Sequence, residues 1–361
     1  MEEKGKKGRM DYTLLLIVVL LVVIGLVILY STSAYNGQVK FHDSFYYLKK
    51  QAFATVLGIV LMLFVAGMDY HIWQRLAIFG YLTAVALSVA VMLFGREING
   101  SKRWLALGPF SFQPSEFAKV ALILFLADLV TKNVKTIGKM WTLCRIMFWI
   151  LPIVGLVGAS NLSTAIIILG IGVILIFVAS PKYAQFVLMG IAGACFMGIF
   201  LALESYRLER LAIWRNPEKY EKGYQTLQGL YAIGSGGVFG VGIGNSVQKL
   251  GFVPEAQNDM IFSIICEELG LAGAGIIVFL FLLLIWRFFL IASGSRDLFG
   301  ALIATGAMAH MMIQVILNIA VVTNTIPNTG ITLPFISYGG TSVMFLLIEM
   351  GLVLSVSQVV D

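Results

Sequence analysis

Charge is what this chain has least of. Only 12% of its 361 residues are Asp, Glu, Lys or Arg, while 59% are hydrophobic. Soluble domains carry about 25% charged and about 45–50% apolar residues. A soluble globular chain is therefore excluded, and a multi-spanning membrane protein is indicated. Three cysteines and three histidines leave little room for redox or metal chemistry. Cys144, Cys195 and Cys266 lie far apart, in or beside apolar runs, and read as buried small hydrophobes with no disulfide or zinc pattern. His42, His71 and His310 lack metal-ligand spacing. A long polar stretch is also missing. The longest, 204–258, is near the lower limit for independent folding, so residues 1–361 read as one polytopic domain with that stretch as a large loop. The net charge of +6 sits in short loops between apolar runs, where it sets orientation and gives no sign of a nucleic-acid partner.

What is present is chiefly apolar runs. A basic start with Lys4, Lys6, Lys7 and Arg9 precedes the run 13–31, which exceeds the about 7–15 residues of a signal-peptide core and reads as a retained anchor. Further runs at 52–68, 73–94, 117–130, 147–160, 162–179, 186–203, 260–289, 299–322 and 337–359 give about ten spans of roughly 20 residues. A tight turn is expected at 159–163. The predicted fold class is all-α integral membrane, with the large loop between the seventh and eighth spans. With both termini inside, the short inner segments carry about twice the Lys and Arg of the short outer ones. The polar inventory (96–115, 204–258 and 324–336) then falls on the outer side, where an active site is expected.

The stretch 223–270 opens as a glycine-punctuated loop and closes inside an apolar run, with Asp259 the last charged residue before that run. A carboxylate at the mouth of a membrane helix is costly unless something uses or satisfies it. Capping alone could account for it, since Asn258 or Asp259 suits an N-cap. The helix N-terminus favours its ionised form and burial opposes it. An outward-facing ionised carboxylate can take a proton from a hydroxyl.

Other constellations carry two readings each. Lys102 and Arg103 suit phosphate oxygens and Trp104 suits a sugar ring, but the trio equally suits an interfacial anchor with snorkelling cations. Glu116 and Lys119 share a face of a helix opened by Pro114, as structural glue or as a wall of a polar cavity. The large loop mixes both signs of charge, Arg210 among them, as solvated surfaces do. Its glycines from Gly234 to Gly244 fit neither a phosphate loop nor a dinucleotide fingerprint, and predict a tight re-entrant segment. The uncharged, hydroxyl-rich stretch 323–342 could hydrogen-bond a sugar or line a cavity. Glu267, Glu268, His310, Gln314, Asn318 and Glu349 should face the bundle interior.

Taken together, GSKRWLALG, FQPSEFAK, the stretch from GYQTLQGLYAIGSGG through QKLGFVPEAQNDMIF to EELG, and NTGITLPFISYGGTS resemble the SEDS family of bacterial cell-wall polymerases, the FtsW and RodA proteins. The resemblance covers nearly the whole chain. Its wording looks more like the division-type FtsW, or its sporulation relative, than the elongation-type RodA. It implies a peptidoglycan glycosyltransferase in the cytoplasmic membrane that polymerises lipid II at the outer face. The family's essential aspartate falls on Asp259, its outer-loop tryptophan on Trp104, and its cavity pair on Glu116 and Lys119. Asp259 would deprotonate the acceptor hydroxyl as it attacks the anomeric carbon of an undecaprenyl-pyrophosphate donor, with inversion. Lys102, Arg103, Lys119, Arg210 and Lys249 are candidates to neutralise pyrophosphate charge, and Glu255 and Ser337 are further substrate-side candidates. A magnesium or manganese ion could share that task, although no dedicated cage is visible in the sequence. Partners implied are a class B penicillin-binding transpeptidase and other division-complex membrane proteins. Two departures stand out: Gln257-Asn258-Asp259-Met260 where many relatives have His-Thr-Asp-Phe, and Asn161 where many have an acidic residue. The competing readings are a lipid II flippase, using Glu116, Lys119 and Glu349 as a polar path, and a division-complex scaffold.

Overall fold

The structure, a computed structural model, describes residues 8–98, 101–107, 110–187, 190 and 211–359. Its helices are α1 (Tyr12–Phe41), α2 (Tyr46–Gly67), α3 (His71–Phe94), α4 (Pro114–Asn133), α5 (Met140–Ser160), α6 (Leu162–Ala179), α7 (Tyr224–Ser235), α8 (Ile261–Gly294), α9 (Leu298–Val322) and α10 (Gly340–Ser357). Among the described residues, eight helices are long and apolar enough to cross a membrane: all of these except α4 and α7. α4 has spanning length but carries Glu116, Lys119, Asp128 and Lys132. It tolerates them because other helices take the place of lipid around it: α3, α6 and α9 pack on it, and Leu122, Ile123, Leu126 and Ala127 are buried. The expected span 186–203 lies almost wholly outside the described residues.

Local chemistry sets the helix boundaries. Asp11 caps α1 by accepting from the Leu14 N–H at 2.9 Å. Pro114 opens α4, where its missing N–H costs nothing. Asn161 alone separates α5 from α6, as the expected tight turn requires, and its side chain accepts from the Thr164 N–H at 3.2 Å.

Side-chain ties define two ends of the bundle. At one end, Arg287 on α8 pairs with Asp11, Tyr70 donates to Asp297, and the Ser355 hydroxyl donates to the Met68 carbonyl at 2.6 Å. Both described chain ends lie there, since the Asp11 N–H donates to Ser357 Oγ at 3.1 Å. At the opposite end, Asn36 donates to Gln257 Oε1 (3.1 Å), Gln51 to the Ser337 carbonyl (3.2 Å) and Ser163 to the Thr329 carbonyl (2.7 Å).

Two features depart from the sequence reading. Within 96–115, three short strands form an antiparallel meander: β1 (Arg96–Ile98), β2 (Ser101–Leu107) and β3 (Phe110–Phe112), with Arg96 opposite Trp104 and Leu105 opposite Phe112. Strands this short show too little alternation to stand out in sequence. Phe112 then meets Phe345 of α10 edge-on, with ring centroids 5.9 Å apart.

The second departure is a break in α8 at Gly270, whose φ of 67° and ψ of −170° leave the helix. The glycine-rich segment docks into this break as a re-entrant loop. The N–H groups of Val241 and Gly242 donate to the carbonyls of Glu267 and Glu268, both at 2.9 Å. Leu271 and Ala272 donate in turn to the carbonyls of Gly237 (3.0 Å) and Val238 (2.9 Å). Backbone groups freed by the break are thereby satisfied, as an apolar setting demands. Approach this close needs glycine: a Cβ on Gly236 would stand 1.9 Å from the Cys266 carbonyl oxygen.

Candidate active site

Asp259 lies between the large loop and α8, partly buried. It does not cap that helix. The N-cap position is Met260, and among the described residues no side chain makes the capping bond. The capping reading therefore falls, and the carboxylate has another environment. Gln225, in the first turn of α7, donates to Asp259 Oδ1 at 3.4 Å and to the Pro254 carbonyl at 3.2 Å. Asn328 donates to Gln225 Oε1 at 3.3 Å. Gly330 covers the other oxygen: a Cβ on it would sit 3.9 Å from Asp259 Oδ2. Asn318 on α9 donates to the Asp259 carbonyl at 2.9 Å.

Burial is the largest influence on this acid and pushes its carboxyl up to about 6. The nearby charge of Glu255 pushes the same way, while the N–H groups of Asp259 and Met260 and the Gln225 amide oppose it. The helix N-terminus, worth about 0.3–1 kcal/mol near the surface, is thus outweighed by desolvation. Glu255 itself is held at a φ of 53° and accepts from Asn258.

The other predicted residues divide into three sets. Arg103 is connected to the site: its Nε donates to the Ser160 carbonyl at 3.0 Å, and the same α5–α6 turn reaches Thr329, next to Gly330, through Ser163. Trp104 is partly buried beside it on β2, and Lys102 is exposed. Arg210 lies outside the described residues.

A second set is corrected. Lys249 is buried, 2.6 Å from Glu268 Oε1 and 2.9 Å from Ser31 Oγ, so it neutralises an internal carboxylate and is not free for a pyrophosphate. Ser337 is buried as well. Its hydroxyl donates to the Asn258 carbonyl at 2.6 Å and accepts from the Leu333 N–H at 2.8 Å, so it staples the backbone and offers nothing to a ligand. Lys119 is paired with Glu116 at 3.0 Å, both buried, and donates to Gln314 Oε1 at 3.3 Å. Gln314, which meets Lys119, and Asn318, which meets the Asp259 carbonyl, are one helical turn apart on α9 (roughly 5 Å), and the pair is a wall of the bundle and not an open cation.

The third set was visible in sequence only as polar residues without a role. His310, Gln314 and Asn318 recur every four residues and form one polar face of α9. His310 Nδ1 lies 2.8 Å from Glu349 Oε2, and Gln314 donates to the Thr332 carbonyl at 3.1 Å. Gln225 and Asn328 lay inside the quoted motifs GYQTLQGLYAIGSGG and NTGITLPFISYGGTS but were not singled out, because uncharged amides in loops and short helices are common.

Residues 12–361 match the family described as "Cell cycle protein", FtsW/RodA/SpoVE. The chain belongs to the FtsW/RodA/SpoVE family. Among relatives, stage V sporulation protein E of Bacillus subtilis (strain 168) is 40% identical over 366 residues, covering 98% of each chain. The probable peptidoglycan glycosyltransferase FtsW of Trichlorobacter lovleyi is 35% identical over 353 residues, covering 96% of this chain and 93% of its own. A chain from a solved peptidoglycan synthase complex superposes with a TM-score of 0.83 at 29% identity, covering 96% of this chain and 97% of that one. The crystal structure of Thermus thermophilus RodA gives 0.72 at 28%, covering 96% of each. As an FtsW/RodA/SpoVE protein the chain is membrane-embedded, and the helical bundle described above is the family's fold.

Proposed function

We propose that this protein is a peptidoglycan glycosyltransferase that polymerises lipid II at the outer face of the bacterial cytoplasmic membrane. The observation that carries the reading is Asp259: a partly buried carboxylate at the mouth of the bundle, held by amides, and absent from the cap position that would explain it otherwise. A base whose carboxyl titrates near 6 is mostly ionised at neutral pH yet more basic than an ordinary aspartate.

In this reading the acceptor sugar hydroxyl enters under Gly330 and gives its proton to Asp259 as it attacks the donor's anomeric carbon. The donor's lipid pyrophosphate departs with the electron pair, so no strong general acid is needed. Lys102, exposed on β2, and Arg103 beside it are the described cations proposed to face that charge. A magnesium or manganese ion, when bound, would supply further neutralisation. Among the described residues no three His, Cys, Asp or Glu side chains converge to hold such an ion, and no step is assigned to it. In this reading the end of the bundle bearing Asp259 is the outer one, since Arg9 and Arg287 belong to the opposite end.

The partner proposed is a class B penicillin-binding transpeptidase within a wall-synthesis complex, serving division or the related sporulation septum. The deciding experiment is purified protein in detergent micelles with labelled lipid II, with and without that transpeptidase. Wild type should make glycan chains, and Asp259→Asn, folded and binding lipid II, should be slower by about 10²–10⁴-fold. A flippase without polymerase activity makes no chains in micelles, and a scaffold tolerates the substitution.

A further inference from the structure

The Asn318 side chain is wholly buried on α9, and its amide donates to two main-chain carbonyls, Asp259 at 2.9 Å and Ile331 at 2.7 Å. Both partners are acceptors, so the amide has a single workable orientation; turned over, its Oδ1 would face two carbonyl oxygens. One side chain thus joins two segments that meet at the carboxylate: the residue that carries it, and the loop of Gly330, on which a Cβ would sit 3.9 Å from Asp259 Oδ2. Among the other polar groups on this face of α9, Gln314 also holds this loop, one residue further on, but neither it nor His310 meets Asp259. Gln314 takes the Thr332 carbonyl and Lys119, and His310 reaches Glu349.

We propose that Asn318 is a positioning residue for Asp259, setting the distance between the carboxylate and the Gly330 loop so that a sugar hydroxyl fits between them. The inference rests on Asp259 being the base. Asn318 holds only main chain, so its loss leaves the substrate-facing side chains in place and displaces the reacting oxygen. A displacement on the order of 1 Å can cost about 100-fold in rate.

The test uses the full-length protein in detergent with lipid II, measuring polymerisation against substrate concentration and pH. Asn318→Leu replaces the amide by an apolar group of similar size. Its kcat should fall about 100-fold while KM stays within about threefold. Its acid limb should move from near 6 towards the ordinary carboxylate range as Asp259 relaxes into water, with Glu255 the charged group still facing it. Asn318→Ser keeps one donor and should recover part of the loss. Ser355→Ala removes a comparably buried bond to the Met68 carbonyl at the far end of the bundle. It should lower the melting temperature and keep the wild-type pH profile. A folded Asn318→Leu protein with wild-type kcat and acid limb, or a defect confined to KM, overturns the proposal. If Asn318→Leu does not fold, an unaltered rate and acid limb in Asn318→Ser overturn it. Polymerisation by Asp259→Asn at the wild-type rate is a different result: it removes the base assignment itself.

Discussion

Lys249 and Glu268 form a closed ion pair inside the bundle, 2.6 Å apart, with Ser31 donating to both carboxylate oxygens of Glu268 at 2.7 and 2.8 Å. The pair pins the end of the re-entrant loop to the helix it interrupts. Beside it, the Ser246 hydroxyl and the Val247 N–H donate to Glu267, the latter at 3.0 Å. A lysine expected from its sequence to meet a substrate phosphate is thereby a structural cation.

Removing one partner of such a pair leaves a buried charge uncompensated, which costs about 3–5 kcal/mol. Lys249→Ala should therefore lower the thermal midpoint in detergent sharply. The double variant Lys249→Met with Glu268→Leu should recover most of the loss. Lipid II polymerisation per folded molecule should stay near wild type in the double variant. A large drop there would return Lys249 to the substrate.

Acid should slow the enzyme before it unfolds it. As the proposed base Asp259 must be ionised, so with its carboxyl pushed up to about 6 the rate should rise through that pH and fall below it. The stability contribution of this group has the opposite sign. Between the ordinary value of 3.8 and about 6 the folded state holds a proton that the unfolded chain has released, so this residue stabilises the fold as the pH falls through that window. A rate profile and thermal melts measured over the same pH range separate the two. Glu255→Gln removes a charge that helps hold the carboxyl up, so its acid limb should shift to lower pH.

The re-entrant loop offers a steric test with an internal comparison. Gly240 has a φ of 76°, and a Cβ there would stand 2.2 Å from the Glu268 carbonyl oxygen. Gly244 has a φ of 88° with nothing within 4 Å of a Cβ. Gly244→Ala should cost only the left-handed backbone strain, about 1–2 kcal/mol. Gly240→Ala must also push the loop off the helix, so its thermal midpoint should fall well below that of Gly244→Ala. Equal midpoints would mean that the loop does not depend on this close approach.

Gln225 should matter to rate more than to stability. It is partly exposed, and its amide meets Asp259 Oδ1 at 3.4 Å. Gln225→Ala should lower kcat by roughly tenfold and leave the melting temperature within a few degrees of wild type. A variant with unchanged kcat would show that the Asp259 rotamer is set without it.

Much of this protein was legible in its residues. Apolar runs located the helices, because a bilayer demands about 20 such residues whatever their neighbours. A tight turn within 159–163 followed from two runs too close for a loop, and the structure narrows it to Asn161 alone. The re-entrant segment followed from glycines that matched no phosphate motif. Asp259 drew attention because an acid at a helix mouth is costly. Glu116 and Lys119, three apart on one helix, were legible as a pair, but the partners of charges from distant segments were not. Nothing local distinguishes Lys249, closed on Glu268, from Arg103, which reaches the α5–α6 turn beside the Gly330 loop.

The sequence by itself determined the class of molecule and singled out Asp259, the residue proposed as its base. Both depend on composition and on local periodicity, which survive without any fold. Only the tertiary structure decided that Asp259 is not a cap, that Asn318 ties it to the loop above, and that Lys249 and Ser337 face inward. Those outcomes depend on bonds between residues 13 to 79 positions apart. Such bonds form where packing brings the segments together, and no stretch of sequence carries that information alone.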